Sequence, residues 1–135
     1  MADPTLKDKI EELIRDNQIL LFMKGTPDAP ACGNSMRAVN VLESYGVEYA
    51  ALDVLPALQP LREVTGEIAD WTTFPQLYVN GQLVGGADIV EEMDESGELA
   101  GVLGTGRDES APQSAKQELK AENPQQSPPM QIENS

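Results

Sequence analysis

Leu6, Ile10, Leu13 and Ile14 recur at helical spacing and lay one apolar stripe along a first helix, with Thr5 as its N-cap and Asp8 in its first turn. Ile19 to Met23 is an unbroken apolar run too short for a helix. It predicts a buried strand, ended by Lys24-Gly25-Thr26-Pro27. A loop from Asp28 to Ala31 leads into a second helix from near Gly33 to Tyr45, which Gly46 stops in a left-handed conformation. Glu48 to Val54 reads as the next strand and Leu58 to Thr65 as a third helix, followed by Gly66 and a loop reaching Trp71-Thr72-Thr73-Phe74-Pro75. Gln76 to Val79 and Gln82 to Val84 flank Asn80-Gly81, a strong signal for a two-residue hairpin. After Gly85-Gly86 a last helix opens with Asp88 as N-cap and Glu91 three residues on, an acidic version of the capping box.

The order α-β-α-β-α-β-β-α defines an α/β fold. Two early strands joined through a helix must run parallel and the final hairpin antiparallel, so the sheet is small, mixed and four-stranded, with helices flanking it. Residues 1–104 form this domain. From 105 to 135 the chain is rich in Gln, Glu, Ser, Pro, Ala and Lys, and prolines interrupt any long helix. Leu119 is the only sizeable apolar anchor between Ser110 and Glu122, so this segment is expected to be a disordered acidic tail.

Composition narrows the chemistry. Among 135 residues, 40% are hydrophobic but only 4% aromatic, so the core is mainly aliphatic. Nine basic against 23 acidic side chains give a net charge of -14, which repels phosphate backbones and anionic lipid surfaces and argues against nucleic acid or membrane as partner. The N-terminus lacks a basic-then-apolar leader, and no stretch approaches the roughly 18 apolar residues of a membrane span. With one cysteine, which has no internal disulfide partner, this gives the expectation of a cytoplasmic protein. The absence of histidine excludes a Ser-His-Asp or Cys-His nucleophile and a histidine general base.

Cys32 stands in Pro30-Ala31-Cys32-Gly33-Asn34-Ser35, immediately before a helix. A free cysteine is commonly an inert buried thiol. Here prolines, glycine and polar neighbours place it on a surface loop, and a helix N-terminus favours thiolate over thiol, so its pKa is expected to be depressed. Ser35 occupies the place where a second cysteine of a Cys-x-x-Cys pair would stand, so any disulfide partner must come from outside the chain. No phosphate-cradling glycine motif is present, and the acidic run Glu91-Glu92, Asp94-Glu95 reads as a solvated helix face.

Lys24-Gly25-Thr26-Pro27, Cys32-Gly33-Asn34-Ser35, Trp71-Thr72-Thr73-Phe74-Pro75-Gln76 and Gly85-Gly86-Ala87-Asp88, in this order, resemble a monothiol glutaredoxin of the C-G-F-S class over about Leu6 to Leu103. The resemblance implies a thioredoxin-like (glutaredoxin) fold, a glutathione site and a [2Fe–2S] cluster bridged between two protomers. By resemblance Cys32 is both the catalytic thiol and the cluster ligand. Lys24 and Arg62 would meet glutathione carboxylates, Phe74 and Pro75 form a cis-proline corner that pairs with the tripeptide backbone, and Asp88 receives its ammonium. The Ala87 and Asp88 N–H groups would meet its γ-glutamyl carboxylate. A [2Fe–2S] centre needs four ligands, so two chains and two glutathiones together would supply them. A cluster-bound homodimer, a BolA-like partner and apo iron–sulfur proteins as recipients follow from the same resemblance.

Asn34 departs from the class, which has phenylalanine there; a smaller amide changes the shape and solvent access of the site. Three functions remain open on this reading: a glutathione-dependent cluster carrier, a monothiol oxidoreductase that removes glutathione from mixed disulfides, and a thioredoxin-fold interaction module without activity.

Overall fold

In a computed structural model of the chain, residues 2–104 and the strand at 116–119 are described. Helix α1 spans Pro4–Asp16, followed by β1 (Ile19–Met23), the two-residue strands β2 (Gly25–Thr26) and β3 (Ala29–Pro30), α2 (Gly33–Tyr45) and β4 (Tyr49–Asp53). A 3-10 turn at Leu55–Ala57 leads into α3 (Leu58–Ala69), then β5 (Gln76–Val79), β6 (Gln82–Gly85), α4 (Ala87–Ser96) and α5 (Glu98–Leu103).

The main sheet has the order β6-β5-β1-β4, with β1 parallel to β4 and antiparallel to β5, as the mixed four-stranded sheet requires. Lys116–Leu119 adds a fifth strand, β7, parallel to β4 at the edge. The rest of the expected disordered tail lies outside the described residues.

Strand β1 is apolar at every position because both faces of the sheet are covered. Its odd members Ile19, Leu21 and Met23 pack with Val39 and Leu42 of α2, Val90 of α4 and Leu99 and Leu103 of α5. The even members Leu20 and Phe22 pack with Ile10 and Ile14 of α1, Leu61 and Val64 of α3, and Phe74 and Tyr78. Three aromatics meet on this second face, where the Phe22 ring lies 5.3 Å from Tyr78 and 6.5 Å, edge-on, from Phe74, while Tyr45 and Tyr49 belong to the first core.

Several boundaries differ from the sequence expectation. The first helix is capped by Asp3, whose carboxylate accepts from the Thr5 N–H, because Pro4 is suited to the first helical position and moves the start upstream of Thr5. The third helix runs through Gly66 to Ala69 rather than stopping at Thr65: Ile68 and Ala69 still pack against the second core, and Asp70 takes the left-handed stop. The last helix is capped by Gly86, whose carbonyl accepts from the Val90 N–H, so Asp88 lies inside the first turn and is not the N-cap. Gly97 then breaks the final helical stretch into α4 and α5. The Asn80-Gly81 hairpin is as expected, both residues having positive φ.

The loop before Cys32 is fixed by a glycine. Gly25 has φ +88°, and a Cβ there would lie 2.6 Å from both the Ala29 carbonyl oxygen and the Ala31 nitrogen. Asp53 at the end of β4 accepts from the Gly25 and Leu55 N–H groups and pins this turn to the sheet. Gly25→Ala is therefore expected to lower unfolding free energy by about 2 kcal/mol or more, combining backbone strain with the clash. Gly81→Ala, also at positive φ but in open space, should cost about 1 kcal/mol. Equilibrium denaturation of the two variants checks the ranking; equal losses would mean that the β2–β3 turn can relax.

Candidate functional site

Cys32 is the N-cap residue of α2, half-buried, with extended backbone, and its carbonyl accepts the first helical hydrogen bond from Met36. Ser35, one turn on, is fully buried at the crossing of α2 and the end of β1. Its Oγ accepts from the Lys24 N–H at 3.0 Å and lies 3.5 Å from Cys32 Sγ. The neutral thiol donates to that oxygen; once the sulfur is ionised, the hydroxyl can turn its proton to the thiolate. Partial burial pushes the Cys32 thiol up, but the Ser35 hydroxyl, the Ser35 and Asn34 N–H groups and the Lys24 charge together hold it below its ordinary value. This direction agrees with the one expected from the sequence.

Beside α2 a cavity of about 390 Å³ is lined by Asn34, Trp71, Thr73, Phe74, Pro75, Gly86, Ala87, Asp88 and Ile89. This volume falls in the range of small-ligand sites. Phe74-Pro75 is a cis peptide bond, as the resemblance implied. The corner that carries it is held by the buried Gln76, whose Nε2 donates to the Trp71 and Thr73 carbonyls at 3.1 and 3.0 Å and whose Oε1 accepts from the Tyr78 hydroxyl at 2.8 Å. The Trp71 indole N–H is buried and has no hydrogen-bond partner among the described residues.

Phe74, Pro75, Ala87 and Asp88 of the expected site thus share one cavity wall, and Asn34 connects that wall to Cys32 two residues earlier. Lys24 is tied to the same loop through its backbone, since its N–H donates to Ser35 and its carbonyl accepts from Ala31 at 2.8 Å. Arg62 sits half-buried on α3 and is not among the lining residues. Ala87 and Asp88 open α4, where the first N–H groups have no partner inside the helix.

Arg37 was not visible as a site residue from the sequence. Its guanidinium reaches from α2 to α4, donating to Glu91 Oε1 at 2.6 Å, Glu91 Oε2 at 3.0 Å and Asp88 Oδ1 at 2.7 Å, and also to Asn34 Oδ1 at 2.8 Å. Hydrogen bonds to Glu91 and Asp88 hold Arg37 firmly protonated, and Arg37 in turn holds the Glu91 carboxyl below the usual range. The acidic stretch of α4 is therefore not wholly a solvated face: Asp94 also accepts from the Tyr45 hydroxyl at 2.7 Å. The available signal was Asp88 and Glu91 three residues apart on one helix face, opposite a helix whose lone cation is Arg37.

Cys32 itself is not a lining residue, but a lone thiol at a helix N-terminus, next to a cavity walled by a cis-proline corner and a second helix N-terminus, is the arrangement of the thioredoxin-like proteins. Residues 19–84 match the Glutaredoxin family model. Probable monothiol glutaredoxin GrlA from Legionella pneumophila is 51% identical over 84 residues, covering 62% of this chain and 93% of that protein. Probable monothiol glutaredoxin 2 from Rickettsia typhi is 49% identical over 94 residues, 70% of this chain and 84% of the relative. Other relatives are much longer: the chain spans 21% of Monothiol glutaredoxin-S11 from Oryza sativa, at 45% identity over 103 residues. Among solved structures, mature 1CGrx1 of Trypanosoma brucei superposes with a TM-score of 0.65 at 41% identity, covering 75% of this chain and 73% of that one. A buckwheat glutaredoxin–glutathione complex shares the fold, with a TM-score of 0.67 at 20% identity over 75% of this chain and 89% of that one. The chain belongs to the glutaredoxin family, among its monothiol members.

The Ser35 contact makes a prediction whose sign is fixed by which form of the sulfur it favours. A hydroxyl that donates to thiolate lowers the pKa, so the pH midpoint of Cys32 alkylation by iodoacetamide should lie below that of an unperturbed cysteine, and Ser35→Ala should move it upward. A midpoint that stays put in the variant would show that the hydroxyl does not hold the charge.

Proposed function

We propose that the chain binds glutathione in the cavity between the Phe74-Pro75 corner and the start of α4, and that it carries a [2Fe–2S] cluster as cargo for delivery to other proteins. The observation that carries this reading is the pairing of a half-buried, thiolate-favouring Cys32 with a cavity, reached through Asn34 two residues on, whose walls offer the groups a γ-glutamyl tripeptide needs. Those groups are the free N–H donors at the start of α4, the exposed Asp88 carboxylate and the backbone at the proline corner. Lys24 supplies a further cation beside the thiolate. The buckwheat relative of this fold is a complex with glutathione, which is consistent with the same ligand here.

The stoichiometry follows from ligand counting. The chain has one cysteine, and among the described residues no group of three or more His, Cys, Asp or Glu side chains is placed to hold a metal ion. A four-ligand cluster is then completed by one Cys32 from each of two chains and one thiol from each of two glutathiones. Dimerisation and glutathione binding become conditions for loading, and two exchangeable ligands suit release. In this reading the loaded form is a homodimer in the cytoplasm, apo iron–sulfur proteins receive the cluster, and a BolA-like protein is a partner.

The lowered Cys32 pKa also favours a second reading. The Cys32 thiolate attacks the glutathione sulfur of a protein–glutathione mixed disulfide, and the protein thiolate leaves and takes up a proton. A second glutathione thiolate then attacks the Cys32–glutathione disulfide, releasing oxidised glutathione and regenerating Cys32.

Anaerobic reconstitution with iron, sulfide and glutathione, followed by visible absorption and mass measurement, separates these readings. The carrier predicts a coloured dimer that bleaches when glutathione is removed. A colourless monomer that turns over glutathionylated protein indicates the enzyme, and inactivity in both assays sinks both. Cys32→Ser should abolish either activity while shifting stability by no more than about 0.5 kcal/mol, because the thiol is neither deeply buried nor a helix-capping group.

A further inference from the structure

The grip on Arg37 is lopsided. Three of its four hydrogen bonds go to Glu91 and Asn34, and a single one, from Nη2 to Oδ1, holds Asp88. Breaking that one bond leaves the guanidinium anchored. The two carboxylates also differ in access: the Asp88 side chain is 83% exposed on the cavity wall, whereas that of Glu91 is 36% exposed and outside the lining. A ligand in the cavity therefore meets Asp88 with one oxygen already committed to a resident cation.

We propose that Arg37 is a built-in competitor for the cation subsite at Asp88. A ligand that brings an amino group meets a carboxylate whose Oδ1 the guanidinium already occupies, and it either displaces that bond or shares Asp88 through Oδ2, with Arg37 held by Glu91 and Asn34 as a fixed positive charge beside it. This rests on the glutathione reading of the cavity and identifies what sets its strength and selectivity. Recognition of the γ-glutamyl ammonium is held weak by competition and like-charge repulsion. The neighbouring α-carboxylate is favoured by the same charge, together with the start of α4. Asn34 is part of the device, since its amide oxygen is an acceptor that the phenylalanine of the C-G-F-S class lacks. Arg37 acts here as a positioning residue, through the charge it presents to Asp88.

The test is calorimetric titration of the reduced full-length chain and of Arg37→Gln and Glu91→Gln. The probes are S-methylglutathione and the analogue lacking only its γ-glutamyl amino group. The readout is the ratio of the two affinities, which a general loosening of the α2–α4 packing would not drive in opposite directions in the two variants. Arg37→Gln should raise the preference for the amino form about two- to fivefold, the scale of one exposed ion pair removed. Glu91→Gln should lower it, because Arg37 then bears on Asp88 with less restraint. If wild type binds the tripeptide but Arg37→Gln leaves the ratio unchanged or reduces it, the competitor role is overturned and the glutathione reading stands. If wild type and both variants bind neither probe, both fall.

Discussion

A single buried hydroxyl joins the two halves of this site. Ser35 Oγ receives the backbone N–H of Lys24 at the end of β1 and faces Cys32 Sγ across the first turn of α2. It thereby locks the strand end to the helix start and can turn its proton to the ionised sulfur. Removing it would orphan a backbone donor at the strand end and take a stabilising contact from the thiolate in one stroke. The surrounding architecture serves this junction: Gly25 brings the chain through a turn no side chain could share, and Asp53 ties that turn to the neighbouring strand.

The electrostatics of the site run against those of the molecule. A chain of net charge -14 repels small anions over most of its surface. Around the sulfur, however, Lys24 and the first amides of α2 favour negative charge, and the first N–H groups of α4 stand on the cavity wall. Two helix N-termini, α2 through Asn34 and α4 through Ala87 and Asp88, thus contribute to one cavity wall in an acidic protein. Such local concentration of positive partial charge gives selectivity for where an anion settles, independently of the net field.

Much of this was legible from residue order. An apolar run of five residues ended by Lys24-Gly25 is too short for a helix and reads as a buried strand, and Asn80-Gly81 signals the final hairpin. Cys32 before a helix, Phe74-Pro75 and Asp88 were readable as motifs, and the cavity gathers the latter two with Asn34. What was hidden depended on tertiary partners. Asp3 displaced Thr5 as cap because Pro4 fits the first helical position, and α3 outran its glycine because Ile68 and Ala69 had a core to reach. Arg37 belongs to no sequence motif, and only the packing of α2 on α4 gives it Asp88 and Glu91. Arg62, assigned by resemblance to a glutathione carboxylate and part of no motif, is not on the cavity wall.

The chain contains one tryptophan, and it forms part of the cavity wall, its ring edge 3.8 Å from the point where a side chain on Gly86 would begin. Ultraviolet emission from the whole molecule therefore originates at this wall whenever that indole is selectively excited. The protein carries its own optical reporter, and solvent displacement beside Trp71 can be followed in the unlabelled chain.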